Sequence, residues 1–283
     1  MQWVRRRVYK VLALVAATAT LVAVAPAGCR IARYAEAATR STSQFRPSPL
    51  DPRVAYEPGA ETLALGVAAA LPAAVETVEA RQGGPFAVPV RVYVCATVDS
   101  FARYGANPRA GGFTAGHRVF LSPKPENTAE RMPRVLTHEL SHLHLGARRS
   151  VLTAAQLPVW FVEGLGVHVS GGGGAEGVTD AEVRKAIAEG RTFVPETEGS
   201  LFRSKGASAY GLDAHMFYGQ AGMFVGYLRS LDEHRFETLL RAVETGDPLG
   251  PAFEDAYGFP IAVAWRRFVQ GLASETGAIR ARP

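Results

Sequence analysis

His138-Glu139-Leu140-Ser141-His142 is an HExxH run, two imidazoles four residues apart with a carboxylate between them. On a helix, residues four apart lie one above the other, so both rings can close on one metal ion at roughly 2.0–2.1 Å. Glu139 sits one position round from His138, where its carboxylate can reach a water on the metal rather than the metal itself. That is the layout of a zinc hydrolase, an ion that acidifies water beside a general base. The pattern also arises by accident in about one chain in a hundred of this length, so its surroundings decide.

Those surroundings predict a helix from about Pro133 to Leu145. Val135, Leu136, Leu140 and Leu143 recur at three- and four-residue intervals, Pro133 suits the first turn, and Gly146 suits the residue just past the end. A catalytic zinc needs three protein ligands and one open position. Metzincin spacing does not supply the third, because Leu145 and Arg148 stand where that pattern needs Gly and His. Glu163 is the better candidate. It lies in Leu157-Pro158-Val159-Trp160-Phe161-Val162-Glu163-Gly164-Leu165-Gly166, a second helix beginning at Pro158, where a lone acid costs several kcal/mol unless paired, protonated or metal-bound. Gly164 and Gly166 fit the same account, since glycine inside a helix costs about 1 kcal/mol against alanine and marks close approach of another backbone. The competing account of Glu163 is a buried ion pair with Arg134 or Arg148. His168 is a rival third ligand, but it lies about 140° round the helix from Glu163, so only one of the two can face the first helix.

The HELSH run, followed about twenty residues later by PVWFVEG, resembles the gluzincin metallopeptidases, and more narrowly the bacterial peptidase MA-like proteins. Val90 to Val94, Gly111-Gly112-Phe113 and Val119 to Pro123 resemble the strands before the metal helix in that family, and Phe217 to Leu228 resembles its later helix. The resemblance covers roughly Pro89 to Gln270, with the two metal motifs its specific part. It implies a zincin-like fold and one zinc ion held by His138, His142 and Glu163, with Glu139 activating the water. It also carries over Tyr218 as a hydrogen-bond donor to the developing oxyanion, although Tyr210 and His215 are close by and a packed core ring is the alternative. The implied substrate is a peptide or protein. The segment Val119 to Leu121 could present a sheet edge to which an extended peptide adds as a further strand.

Arg5, Arg6, Arg7 and Lys10 precede an apolar run from Val11 to Ala25, the pattern of a secretory signal over residues 1–28. Fifteen residues are short for a membrane span, where about 20 are usual, so export is expected, with an uncleaved anchor as the alternative. Ala27-Gly28-Cys29 resembles the end of a bacterial lipoprotein signal, with Pro26 departing from it, so lipidation of Cys29 and ordinary cleavage after Ala27 both stand open. Cys95 lies in an apolar strand and is expected to be a buried small hydrophobe; neither cysteine has the spacing of a zinc ligand. The chain carries +5, of which residues 1–28 hold four basic and no acidic residues, leaving +1 for the remainder. The basic balance is therefore a targeting feature and no argument for nucleic acid. Arg148-Arg149 and Arg266-Arg267 are expected on solvated faces.

Residues 29–58, with Ser41, Ser43, Pro47, Pro49, Pro52 and Pro58, are expected to form a tether, leaving residues 59–283 as one domain. A first helix is predicted from Ala60 to Ala80, bent at Pro72, followed by strands between Val90 and Leu121. After the metal helices come a flexible Gly171 to Gly174 loop, a capping box at Thr179 and Glu182, and a loop over residues 195–212. Helices follow near Asp213 to Leu231, His234 to Glu244 and Pro260 to Leu272, with Trp265, Phe268 and Val269 packing on the core. The expected fold is α+β, a small mostly antiparallel sheet packed on a helical bundle with the metal between two helices. An exported zinc metallopeptidase is the favoured function, since a structural zinc site would not need Glu139. A non-catalytic zinc-binding envelope protein and a zinc amidohydrolase acting on a non-peptide cell-wall substrate are the alternatives.

Overall fold

The computed structural model describes residues 39–124, 130–154, 156–199 and 205–280. The signal and anchor readings of residues 1–28, and Cys29 itself, lie outside the described residues. The chain runs β1 (Arg46–Pro47), β2 (Val54–Tyr56), α1 (Glu61–Gln82), β3 (Val92–Val94), α2 (Val98–Arg103), β4 (Gly112–Ala115) and β5 (Arg118–Leu121). It continues through α3 (Met132–Gly146), α4 (Val151–Ala154), α5 (Val159–Ser170), α6 (Asp180–Ala188), a 3-10 turn (Ala207–Tyr210), α7 (Ala214–Leu231), α8 (Glu233–Thr245), α9 (Leu249–Tyr257) and α10 (Ile261–Arg280).

The five strands form one sheet in the order β1-β2-β3-β5-β4. The outer pairs, β1 with β2 and β4 with β5, are antiparallel, whereas β2-β3 and β3-β5 are parallel. The class is α+β, but the sheet is mixed rather than mostly antiparallel. The cause is α1: a parallel neighbour needs a long crossover, and the helix between β2 and β3 provides it. The tether expectation also changes. Residues 46–47 and 54–56 join the sheet, with Val54 fully buried, because two- and three-residue strands are too short to show a hydrophobic period.

Strand alternation then sorts the side chains. Val54, Val92, Val94, Val119 and Leu121 face the helices in the main core, while Tyr93 and Phe120 face the other way, into a smaller cluster with Phe45, Phe101 and Tyr104. Phe120 stacks on Tyr93 at 5.3 Å and on Tyr104 at 4.5 Å between ring centroids. Cys95 is a free, buried thiol in this smaller cluster, pushed up to about 12 by burial and then by the nearby charge of Glu57, which agrees with an inert packing role.

On the main face, α3 lies between α1 and α5, and α5 packs most extensively on α7. α1 runs unbroken through Pro72, and by length and composition alone it could cross a membrane. Here Val67, Leu71 and Val78 are fully buried in the core instead. α5 starts after extended Pro158 and stops at left-handed Gly171, as the proline and glycine predict. The Thr179–Glu182 capping box opens α6, and the Asp213 side chain caps α7 through Met216 N. Trp265 and Phe268 pack on Phe224 of α7 at 4.9 and 5.4 Å. α9 was not expected from the sequence, although Pro248 before it and left-handed Gly258 after it are ordinary boundary signals.

The end of α3 is fixed by a buried polar joint. His144 Nδ1 lies 3.0 Å from Glu244 Oε1 on α8, and its Nε2 lies 2.9 Å from the Gly84 carbonyl just past α1. The Gly84 carbonyl only accepts, so Nε2 donates to it, and Nδ1 is left facing the Glu244 carboxyl group. Arg149 is not solvated as expected: it is buried and donates to the Thr153 carbonyl at 2.6 Å and to the Val243 carbonyl at the end of α8. Burial pulls the His144 ring down, and the Glu244 hydrogen bond, the Gly84 carbonyl and the Glu244 charge override it against the opposing charge of Arg148, leaving a net rise. A raised folded pKa stabilises below the ordinary value of about 6.5 and that contribution is lost as pH climbs through the folded value. Denaturant unfolding should therefore show stability falling toward the alkaline side, and Glu244→Gln should flatten that dependence. Glu244→Ala should cost about 3–5 kcal/mol, because it strands a buried charge; a loss under 1 kcal/mol would refute the joint.

Candidate metal centre

His138 and His142 project from one face of α3, their ring centroids 4.5 Å apart and their planes nearly perpendicular. Glu163 approaches from α5, with Oε2 3.2 Å from His138 Nε2 and 3.6 Å from His142 Nε2. Two ligands about 2.0–2.1 Å from a tetrahedral ion stand about 3.3–3.4 Å apart. The observed separations fit that spacing, and the three ligand atoms all lie within 4.8 Å of one another, so the group could hold a metal ion. Among the described residues Glu163 is ion-paired with these imidazoles and not with Arg134 or Arg148; Arg148 instead lies 4.0 Å from Glu244.

The hydrogen bonding sharpens this. His138 Nδ1 is 2.8 Å from the Gly173 carbonyl, which only accepts, so Nδ1 carries the proton and Nε2 turns its lone pair toward the Glu163 carboxylate. A lone pair facing a carboxylate oxygen in a site this enclosed demands positive charge between them, either a proton or a metal cation. Without a cation the balance is met by protons. Burial alone would raise the Glu163 carboxyl, but the facing His142 ring and the 3.2 Å contact with His138 hold it far below the usual carboxylate range. Burial likewise pulls His138 down, and Glu163, Glu139 and Gly173 more than reverse it.

Close packing allows the approach. A Cβ on Gly166 would stand 2.7 Å from His138 Cε1, so only glycine leaves room for the ring against α5. Gly164 serves a different contact from the one expected: its missing Cβ would meet the Ala221 backbone of α7 at 2.7 Å. One glycine seats the ligand and the other seats the helix that carries Tyr218.

Glu139 is not one of the three grouped ligands and is anchored to the sheet. Thr114 Oγ1 of β4 lies 2.7 Å from Glu139 Oε2 and 2.9 Å from the Glu139 carbonyl, and a Cβ on Gly112 would meet Glu139 Cγ at 2.5 Å. Thr114 is a partner of Glu139 that the sequence did not single out. The signal was the two-residue period, which puts Gly112 and Thr114 on one face. Tyr218 on α7 is half-buried, its ring 6.5 Å from that of His138 and near parallel to it, on the side of the group that faces the Glu163 charge. Burial, then the Glu163 charge, keeps that phenol far above its ordinary value, so it stays a donor.

The other candidates fall outside the group. His168 points toward Gly226 of α7, whose added Cβ would lie 3.1 Å from its Nδ1. Burial, with Arg229 and Arg81 nearby, pushes it down to about 4. Tyr210 donates to the Val194 carbonyl at 3.1 Å, and exposed His215 reaches the Gly174 carbonyl at 3.2 Å.

Gly166→Ala should displace the His138 ring and lower Zn2+ affinity by about tenfold or more in a calorimetric titration, with the helical circular dichroism unchanged. Gly164→Ala should instead destabilise by about 1–3 kcal/mol through overpacking. Equal Zn2+ affinity for Gly166→Ala and the unmodified chain would contradict the packing argument. No family model matches this chain, and a search of the curated proteins found no match.

Proposed function

We propose that this protein is an exported zinc-dependent metallohydrolase with a zincin-like fold, acting as a peptidase. The observation that carries the reading is the division of labour between carboxylates. Glu163 joins the two imidazoles, while Glu139, one residue from a ligand, stands outside that group and accepts a hydrogen bond from Thr114. A structural site has no use for that second, separately positioned carboxylate.

Zinc bound by His138, His142 and Glu163 would supply a Lewis acid and lower the pKa of water there toward about 7. Glu139 accepts the proton of the attacking water and passes it to the leaving amine. The Thr114 hydroxyl fixes one Glu139 oxygen and leaves Oε1 as the base. Tyr218 donates to the oxygen of the tetrahedral species, a contribution of about 2.7–4 kcal/mol.

Substrate placement follows from the sheet. The expected edge at Val119 to Leu121 is β5, which is internal, and β4 is the edge. Phe113 lies opposite Phe120, and Ser122 N donates to the Gly111 carbonyl at 2.9 Å. The antiparallel alternation therefore turns the N–H and C=O of Gly112 and Thr114 outward. An extended peptide added there would run over Glu139, with its backbone read by β4. Residues 1–28 supply the export signal in this reading.

Purified protein should cleave members of a mixed peptide library, and a chelator should stop it. Glu139→Gln should keep zinc and lose about 10²–10⁴ in kcat, while Tyr218→Phe should lose about 10²–10³ with little change in KM. Full activity in Glu139→Gln would end this mechanism. Zinc binding without any hydrolysis would favour an envelope binding protein.

A further inference from the structure

The glycine run after α5 is not a slack connection. Gly172 N donates to the Val167 carbonyl at 2.9 Å, and Gly173 N donates to Ser170 Oγ at 2.8 Å, while Ser170 Oγ donates to Val167 O at 3.2 Å. Gly174 N donates to Glu176 Oε1 at 2.9 Å, and its carbonyl accepts from His215 Nδ1. The turn is also wedged from both sides. A Cβ on Gly173 would stand 2.5 Å from the Arg134 carbonyl of α3, and one on Gly174 would meet His138 at 2.9 Å and Tyr218 at 3.3 Å.

We propose that the Ser170–Gly174 turn is a positioning device for the metal centre, in which Ser170 holds the Gly173 carbonyl on His138 Nδ1 and so aims Nε2 at Glu163. The inference rests on the metal-centre reading and names residues outside the ligand set. It ties the ligand residues to one another through the chain, because the helix that ends at this turn is the one that brings Glu163. The loop leaving the Glu163 helix returns to orient the histidine from the other helix, so the two metal helices are cross-braced by a hydrogen bond. His142 lacks the corresponding brace. Its Nδ1 is buried with no hydrogen-bond partner, which leaves His138 as the pre-oriented imidazole of the pair. Outer partners of this kind commonly set metal affinity by about 10–100-fold.

The test uses the full chain with 15N-labelled histidine, first metal-free and then titrated with Zn2+. In the unmodified protein the His138 Nδ1–H should resist solvent exchange, and Ser170→Ala should abolish that protection and weaken Zn2+ binding by about 10–100-fold. Ser170→Thr keeps the hydroxyl and should restore both. A merely structural contribution of Ser170 would lower thermal stability without changing the exchange of one imidazole proton. Retained protection together with unchanged Zn2+ affinity in Ser170→Ala would overturn the proposal. Failure of the unmodified chain to bind Zn2+ would sink the metal reading instead, and the metal-free exchange measurement would still decide the role of the turn.

Discussion

One carboxylate oxygen facing two imidazole nitrogens is the constraint that organises this protein. Glu163 Oε2 lies 3.2 and 3.6 Å from the Nε2 atoms of His138 and His142, and the three side chains are at most one-fifth exposed. Groups so arranged are unstable as neutral acceptors and need a shared positive charge. Protons can supply it, and the observed separations are also those at which the group could hold a metal ion.

The rest of the fold is read as what brings those atoms within reach. The βαβ unit formed by β2, α1 and β3 sets α1 against one side of α3, β4 and β5 back it from the sheet, and α5 closes on the other side. Gly166 and Gly164 let α5 sit between an imidazole and a helix backbone, a spacing that any side chain would open. β4 packs on α3, so the same strand that steadies Glu139 through Thr114 is also the edge of the sheet among the described residues. The His138–His142–Glu163 group, Glu139 and the β4 edge thus share one short stretch of structure.

The parts legible in the sequence were those with a local chemical signature. The HExxH spacing placed both histidines and Glu139, and the lone acid in an apolar helix marked Glu163 from twenty-odd residues away. Helix limits followed from Pro133, Pro158, Gly171 and the Thr179 capping box. What stayed hidden depends on the main chain or on distant partners. The Gly173 carbonyl that orients His138 has no side chain to announce it, and four consecutive glycines looked flexible when read alone. The pairing of His144 with Glu244 joins residues a hundred apart, and nothing at either position foretells the other. Parallel pairing of β3 escaped because three-residue strands carry too few positions to distinguish a buried parallel strand from an antiparallel one.

The most direct test of the central claim is X-ray diffraction from zinc-soaked crystals of the protein, recorded on both sides of the zinc absorption edge. A single strong anomalous peak is expected about 2.0–2.2 Å from His138 Nε2, His142 Nε2 and Glu163 Oε2, with Glu139 off the ion. Zinc elsewhere, or a Glu163 carboxylate rotated away from both imidazoles in the refined structure, would contradict it.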